Sequence, residues 1–371
     1  MTPQIEDIAR HLPEPVPMGC YKKNDCIFLL KDISSLIKEQ GNEEREKAIQ
    51  SGVHYSEMLP IEYMPSPEYT ELFHNTLAET APLIARYVAI VGEQILKWRG
   101  KNTVLVSLAR AGTPIGVLIK RYIKYKYDLN LPHYSISIIR GKGVDENALI
   151  YILTKEGTEN IQFIDGWTGK GAINSVLVEA CKNFKDKYGV SLNHDLAVLA
   201  DPAQCVKFFG TREDFLIPSS CLNSIVSGLV SRTVLRDDII DKFDFHGAKY
   251  YSQWEDIEVS NLFVDSIARY FPDVVVDSSS LSPAVDVPNT GIQDIKRIQE
   301  EFGIDDINKV KPGVGETTRV LLRRIPWKII VDHMDNPNLE HLLLLARDRG
   351  VAVEVYKKMS YSCCGLIKSV K

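Results

Sequence analysis

Apolar residues along the chain fall into two kinds of pattern, and the change from one to the other sets the expected architecture. From Ser66 to Arg99 apolar positions recur at three- and four-residue spacing through Leu83, Ile84, Val88, Ile90, Val91 and Ile95, and Pro67 suits a first turn, so this stretch predicts a long helix. Short apolar runs then alternate with helical stretches. Strands are expected at Thr103–Leu108, Tyr134–Ile139, Ile161–Ile164 and Leu196–Ala200, and helices at Pro114–Tyr127, Ala148–Lys155, Ala172–Tyr188 and Val259–Tyr270. Such alternation implies a parallel sheet with right-handed crossovers, whose ligands sit outside the carboxyl ends of the strands. After residue 300 a smaller α/β/α unit is expected, with helices at Gly315–Arg324 and Leu339–Arg349 and strands at Lys328–Val331 and Val351–Tyr356.

Less periodic stretches divide the chain. Residues 1–60 show no clear period beyond a short strand within Tyr21–Leu30 and a charged helix candidate at Ser34–Gln50. Asp277–Gly291 gathers serine, proline and asparagine, the composition of a linker. The expected divisions are an N-terminal extension (1–60), an α/β domain (61–276), a linker (277–300) and a small C-terminal domain (301–371).

Composition adds exclusions. With 371 residues, 44% hydrophobic and 25% charged, and mean hydropathy of −0.11, the chain has ordinary globular composition. No run of 18 uncharged apolar residues occurs, and the N-terminus is polar and acidic, so a cytoplasmic protein is expected, with no membrane partner. The seven cysteines (20, 26, 181, 205, 221, 363, 364) contain no C-x-x-C pair, which supports neither a disulfide framework nor a zinc site. Net charge is −5, yet residues 311–371 sum to +5 and the rest to −10. A basic piece on an acidic body suits nucleic acid, although chance imbalance in a small domain gives the same count.

The richest local signal is Ile161-Gln-Phe-Ile-Asp165-Gly166-Trp167-Thr168-Gly169-Lys170-Gly171-Ala172. An apolar strand reaches a carboxylate, and a loop of glycines then opens a helix. Glycine lets backbone N–H groups turn toward a ligand, and the helix start adds partial positive charge, so the loop suits a phosphate. Thr168 can donate a hydroxyl bond, Lys170 a charge, and Asp165 can hold sugar hydroxyls or magnesium. A strand-to-helix turn without a ligand would also use these glycines. A second loop, Ser107-Leu-Ala-Arg110-Ala111-Gly112-Thr113-Pro114, also places an arginine among small residues at a strand end.

These two loops resemble those of the phosphoribosyltransferase family. The resemblance implies a type I phosphoribosyltransferase-like fold using phosphoribosyl pyrophosphate (PRPP) and Mg2+ to glycosylate a base, or to cleave a nucleotide. Asp165 would hold the ribose and the metal, Thr168 to Ala172 the 5-phosphate, and Arg110, Ala111, Gly112 and Thr113 the pyrophosphate. Arg140 and Lys142 in Ile138–Asp145 would form a mobile lid, and Asp201 with Phe208–Ser220 would line the acceptor pocket. Gly166 stands where the family usually has a second acidic residue, and Trp167 is unusual there.

Asp201–Val234 and Asp244–Tyr251 resemble the phosphoribosyltransferase-like proteins of bacterial tellurium-resistance and stress operons, some of which are labelled cysteine proteases. That label would make Cys205 or Cys221 the nucleophile and His246 the base. The tail from Pro312 resembles the Pelota-type RNA-binding domain. Gly315, Glu316 and Arg319 match its RNA-reading helix start, with glycine where asparagine is usual, and Lys357 and Lys358 would add phosphate contacts. Two other readings follow, a nucleotide-sensing RNA-binding regulator without turnover and a cysteine peptidase. An oligomer is compatible with each.

Overall fold

The computed structural model describes residues 2–284, 287–323 and 326–367. Its centre is a seven-stranded sheet built mainly of parallel strands. Chain order gives β1 (Ile27–Phe28), helix α1 (Pro67–Arg99), β2 (Val104–Ala109), α2 (Gly112–Tyr127), β3 (His133–Ile139), α3 (Glu146–Glu156), β4 (Ile161–Trp167), α4 (Ala172–Tyr188), β5 (Ala197–Ala200), β6 (Phe208–Thr211) and α5 (Ser260–Ala268). The strands lie in the order β1-β3-β2-β4-β5-β6, all parallel, and Gly143–Val144 adds a short antiparallel partner to β3. The mixed α/β architecture with a parallel core agrees with the alternation in the sequence.

Burial explains why the strands were legible as apolar runs. β2 and β3 are covered on both faces and almost wholly buried, as parallel strands between helical layers must be. α1 spans 33 residues, roughly 50 Å at 1.5 Å per residue. It buries Phe73, Leu77, Ile84, Val88 and Ile95 and packs on α2, α5 and β6.

Residues 1–60 are woven into this body. Ile27 pairs with Tyr134, extending the sheet by one edge strand, and Lys31–Asp32 pairs with Gly247–Ala248. Two-residue strands carry no readable period. The charged helix candidate narrows to Asn42–Gln50.

The chain enters its last unit through α6 (Thr290–Glu301), then β7 (Val310–Pro312), α7 (Val314–Arg323), β8 (Lys328–Val331), α8 (Glu340–Asp348), β9 (Ala352–Val355) and β10 (Cys363–Leu366). The second sheet runs β7-β10-β8-β9. The 277–300 linker is therefore shorter than expected: α6 occupies nearly its last half and buries Ile295 and Ile298, an i, i+3 pair the serine-rich start obscured. Residue 324, the expected end of α7, lies outside the described residues, as do 285–286 of the linker. Among the described residues no helix is long and apolar enough to cross a membrane.

Candidate functional site

β2 and β4 are neighbours in the sheet, so their following loops share one edge. The approach is close. A side-chain carbon on Gly112 would meet the Ile164 carbonyl oxygen at 2.4 Å, and one on Gly166 would meet the Ala111 carbonyl oxygen at 3.0 Å. Gly171 has φ +78° at the start of α4, the left-handed region that favours glycine.

A cleft of about 480 Å3 opens here. Ala111, Arg140, Asp165, Trp167 and the 168–172 loop line it, joined by Asn174 and by Asn308, Lys311 and Glu316 of the C-terminal unit. The structure thus brings together most of the residues expected from the two loops. Arg110, Gly112, Thr113, Lys142, Gly166 and Asp201 are not among the lining; the two glycines lie where the loops press backbone against backbone. The Arg110 guanidinium donates to both oxygens of Glu62, at 2.9 and 3.2 Å, and to the Val230 carbonyl. Thr113 is buried with its hydroxyl 2.8 Å from that of Ser135. Lys142 lines a separate, more polar hollow together with Asp145 and His246.

Asp201 lies under the loop rather than in the cleft. It is fully buried and accepts from the Thr168 hydroxyl (2.6 Å), the Cys205 and Val206 amides, and Arg212 (2.8 Å). The Cys205 thiol donates to it at 3.6 Å. The 213–220 segment, expected to line an acceptor pocket, faces the C-terminal unit across a narrow crevice with Pro312, Gly313, Gly315 and Glu316.

Two cleft groups are drawn toward neutral pH. The Asp165 carboxyl sits deep in the hollow, and desolvation raises it to about 7 against the opposing Gly166 N–H. Burial lowers Lys170 to about 8, aided by Lys311 and Arg140 nearby; the Lys170 ammonium donates to the Ile307 carbonyl at 2.5 Å. Perturbed groups in a concave cleft make it a candidate functional site. Asp165 keeps its proton when folded across a range where the unfolded chain releases it, so its contribution to stability is lost as pH rises from about 4 to about 7. Asp165→Asn is therefore expected to gain melting temperature relative to wild type between about pH 5 and about pH 8, measured by circular dichroism. A pH-independent difference would contradict the desolvated carboxyl.

Asp165 would be the loop's own carboxylate for magnesium, and among the described residues no three His, Cys, Asp or Glu side chains gather to hold a metal.

The cysteines are the remaining nucleophiles. Cys205 and Cys221 are both buried. Burial, and then the Asp201 charge, push the Cys205 thiol up to about 12. The expected Cys–His pairing is not formed: His246 has its Nδ1 2.9 Å from the Ser137 hydroxyl, and its backbone amide donates to Asp145.

In the C-terminal unit Gly315, Glu316 and Arg319 all face the core. Arg319 donates to the Ser220 carbonyl at 2.8 Å and pairs with Glu316 at 2.9 Å. Lys357 and Lys358 are exposed just beyond the edge strand β9. Sequence reasoning missed Asn174, Asn308 and Lys311 as cleft residues; the basic balance of the tail was the one available signal for Lys311.

Residues 19–268 match a family model described as tellurite-like stress resistance cysteine protease StiP, and residues 289–369 match the PELOTA RNA binding domain. A curated relative from Acinetobacter baylyi, named cysteine protease StiP, is 32% identical over 348 residues, covering 89% of this chain and 88% of its own length. The expectation of a PRPP-dependent transferase is corrected by these matches, which carry a protease description; the glycine loop misled because its phosphate chemistry belongs to many strand-to-helix turns. The match covers most of both chains, and the chain therefore belongs to the StiP family of tellurite-like stress resistance proteins, with a Pelota RNA-binding domain at its C-terminus.

Proposed function

We propose that the chain is a cysteine peptidase in a closed, latent conformation, with the glycine-loop cleft as its working site and Cys205 as its nucleophile. The observation that carries this reading is the position of Cys205 directly behind the loop. A side-chain carbon on Gly171 would lie 3.5 Å from its sulfur, and Asn174, which lines the cleft, donates to its carbonyl at 2.8 Å. In this reading the thiol becomes accessible when Gly169–Gly171 moves aside, while Thr168 stays tied to Ala200 and Asp201.

The chemistry uses groups already in place. The Cys205 proton passes to the Asp201 carboxylate, whose burial makes it a stronger base than an exposed one. The sulfur forms a bond to the peptide carbonyl carbon, and the carbonyl π electrons move to oxygen. Loop N–H groups suit that oxyanion. Collapse breaks the C–N bond, the proton leaves with the amine, and water hydrolyses the thioester to restore the thiol. The parallel sheet and its two loops are read as a phosphoribosyltransferase-like scaffold put to this different use.

Degradation of denatured casein by the full-length protein, with and without total bacterial RNA, tests the proposal; no cleavage in either condition would overturn it. Cys205→Ser is expected to lose activity by roughly a hundredfold or more, a thiol being far the better nucleophile near neutral pH, while Cys221→Ser keeps it. Full activity in Cys205→Ser would overturn the assignment.

A second reading is favoured by one observation: Arg140, Lys170 and Lys311 converge on the cleft. Like charges held together suit an anion, so the cleft would sense a nucleotide without turning it over. Calorimetry with AMP is expected to show binding that Lys170→Ala weakens by roughly tenfold. The absence of heat at millimolar AMP would remove this reading.

A further inference from the structure

The sharpest unexplained feature is how the C-terminal domain sits on the core. The buried Asp214 carboxylate accepts the Val314 N–H at 2.9 Å through one oxygen and the Ser362 N–H at 2.9 Å through the other. The Ser362 hydroxyl donates to the Asp214 carbonyl, also at 2.9 Å. Val314 is the first residue of α7, so a carboxylate of the core occupies the start of a ten-residue helix. Gly315 packs on Ser220, where an added side-chain carbon would come within 3.0 Å of the hydroxyl. The Arg319 guanidinium lies 5.8 Å from the centre of the Trp167 ring.

The same domain pins the glycine loop. The Tyr361 hydroxyl donates to the Gly169 carbonyl at 2.7 Å, and Lys170 donates to Ile307. Two contact sets therefore share one rigid body: one masks Gly315, Glu316 and Arg319, and the other fixes the loop in front of Cys205. A phosphate oxygen at a helix start accepts the same backbone N–H bonds that Asp214 now accepts. RNA and Asp214 cannot hold the start of α7 together.

We propose that docking of the C-terminal domain is a self-inhibitory contact in which Asp214 stands in for an RNA phosphate, so that structured RNA displaces the domain and frees the glycine loop. This deepens the peptidase reading and rests on it, together with the RNA-reading role of Gly315, Glu316 and Arg319. The coupling runs both ways, because whatever favours the undocked state must raise RNA affinity by the factor by which RNA favours undocking.

The test uses the full-length protein, labelled total bacterial RNA in a filter-binding assay, and iodoacetamide labelling of Cys205 followed by peptide mass analysis. RNA is expected to speed Cys205 labelling in wild type by at least roughly tenfold, since burial now suppresses the thiolate. Asp214→Asn removes a charged acceptor from two N–H groups and is expected to bind RNA roughly tenfold more tightly. Ser362→Ala, which leaves both N–H bonds intact, should move both readouts in the same direction by less and serves if Asp214→Asn fails to fold. RNA binding with unchanged labelling would overturn the gate while leaving the RNA reading standing. No RNA binding by wild type or either variant would overturn both. Loss of casein cleavage in Cys205→Ser, assayed separately, reports on the peptidase reading alone.

Discussion

Asp201→Ala is expected to destabilise the core by about 3–5 kcal/mol, because removing one partner leaves buried polar groups uncompensated. Asp201 is completely shielded from water and gathers Thr168, Arg212 and the amides of Cys205 and Val206 around one carboxylate. Alanine would leave the Arg212 guanidinium beside the Phe209 ring with no acid, and the Thr168 hydroxyl without its acceptor. Urea unfolding followed by circular dichroism measures the loss, with an unchanged slope confirming that stability and not compactness has moved. Because Asp201 also holds the Cys205 thiol, the variant should label faster at that cysteine. A change of less than about 1 kcal/mol would mean that water replaces the carboxylate at little cost.

Gly112→Val is the second large effect. The added carbon would strike the Ile164 carbonyl oxygen at 2.4 Å and the Asp165 Cα at 3.0 Å. Both are backbone atoms of a central strand and cannot swing aside as a flexible side chain would. Overpacking of this kind costs about 1–3 kcal/mol, more where the backbone must shift. The strain would fall between α2 and β4, so the two loops of the cleft would separate. Gly169→Ala is the matched control, since an added carbon there meets nothing within 4 Å. Expected results are a lowered urea midpoint with weakened AMP binding for Gly112→Val, and near wild-type stability for Gly169→Ala. Equal stability of the two would refute the close approach.

The parts legible in the sequence are those whose signal is local. The central strands announced themselves as apolar runs because both faces are covered, and α1 did so by its period. β10 did not, because Cys363-Cys-Gly-Leu366 becomes a strand through antiparallel pairing with Val310–Pro312 and Lys328–Val331, partners remote in sequence. α6 carried its isoleucine spacing in plain view, but the Ser/Pro stretch before it drew the linker too far. At the site, the glycine loop was readable as an anion cradle. What closes the cleft was not, since Lys311 and Asn308 reach it only through docking of the second domain. Nor was the fate of Arg110, which depends on Glu62, between the unpatterned first 60 residues and α1. The buried carboxylate of Asp214 had no sequence signature at all: its meaning comes from the two amides that converge on it.

Burial is the leading cause raising the thiols of Cys20, Cys26, Cys181, Cys205, Cys363 and Cys364, and a thiol at about 12 is ionised in roughly one molecule in 10⁵ at neutral pH. Peroxide attacks the ionised form, so these thiols are slow to react in the resting molecule. An oxidant would meet the exposed thioethers of Met64 and Met334 first, and Cys205 would come through a brief oxidising episode unspent.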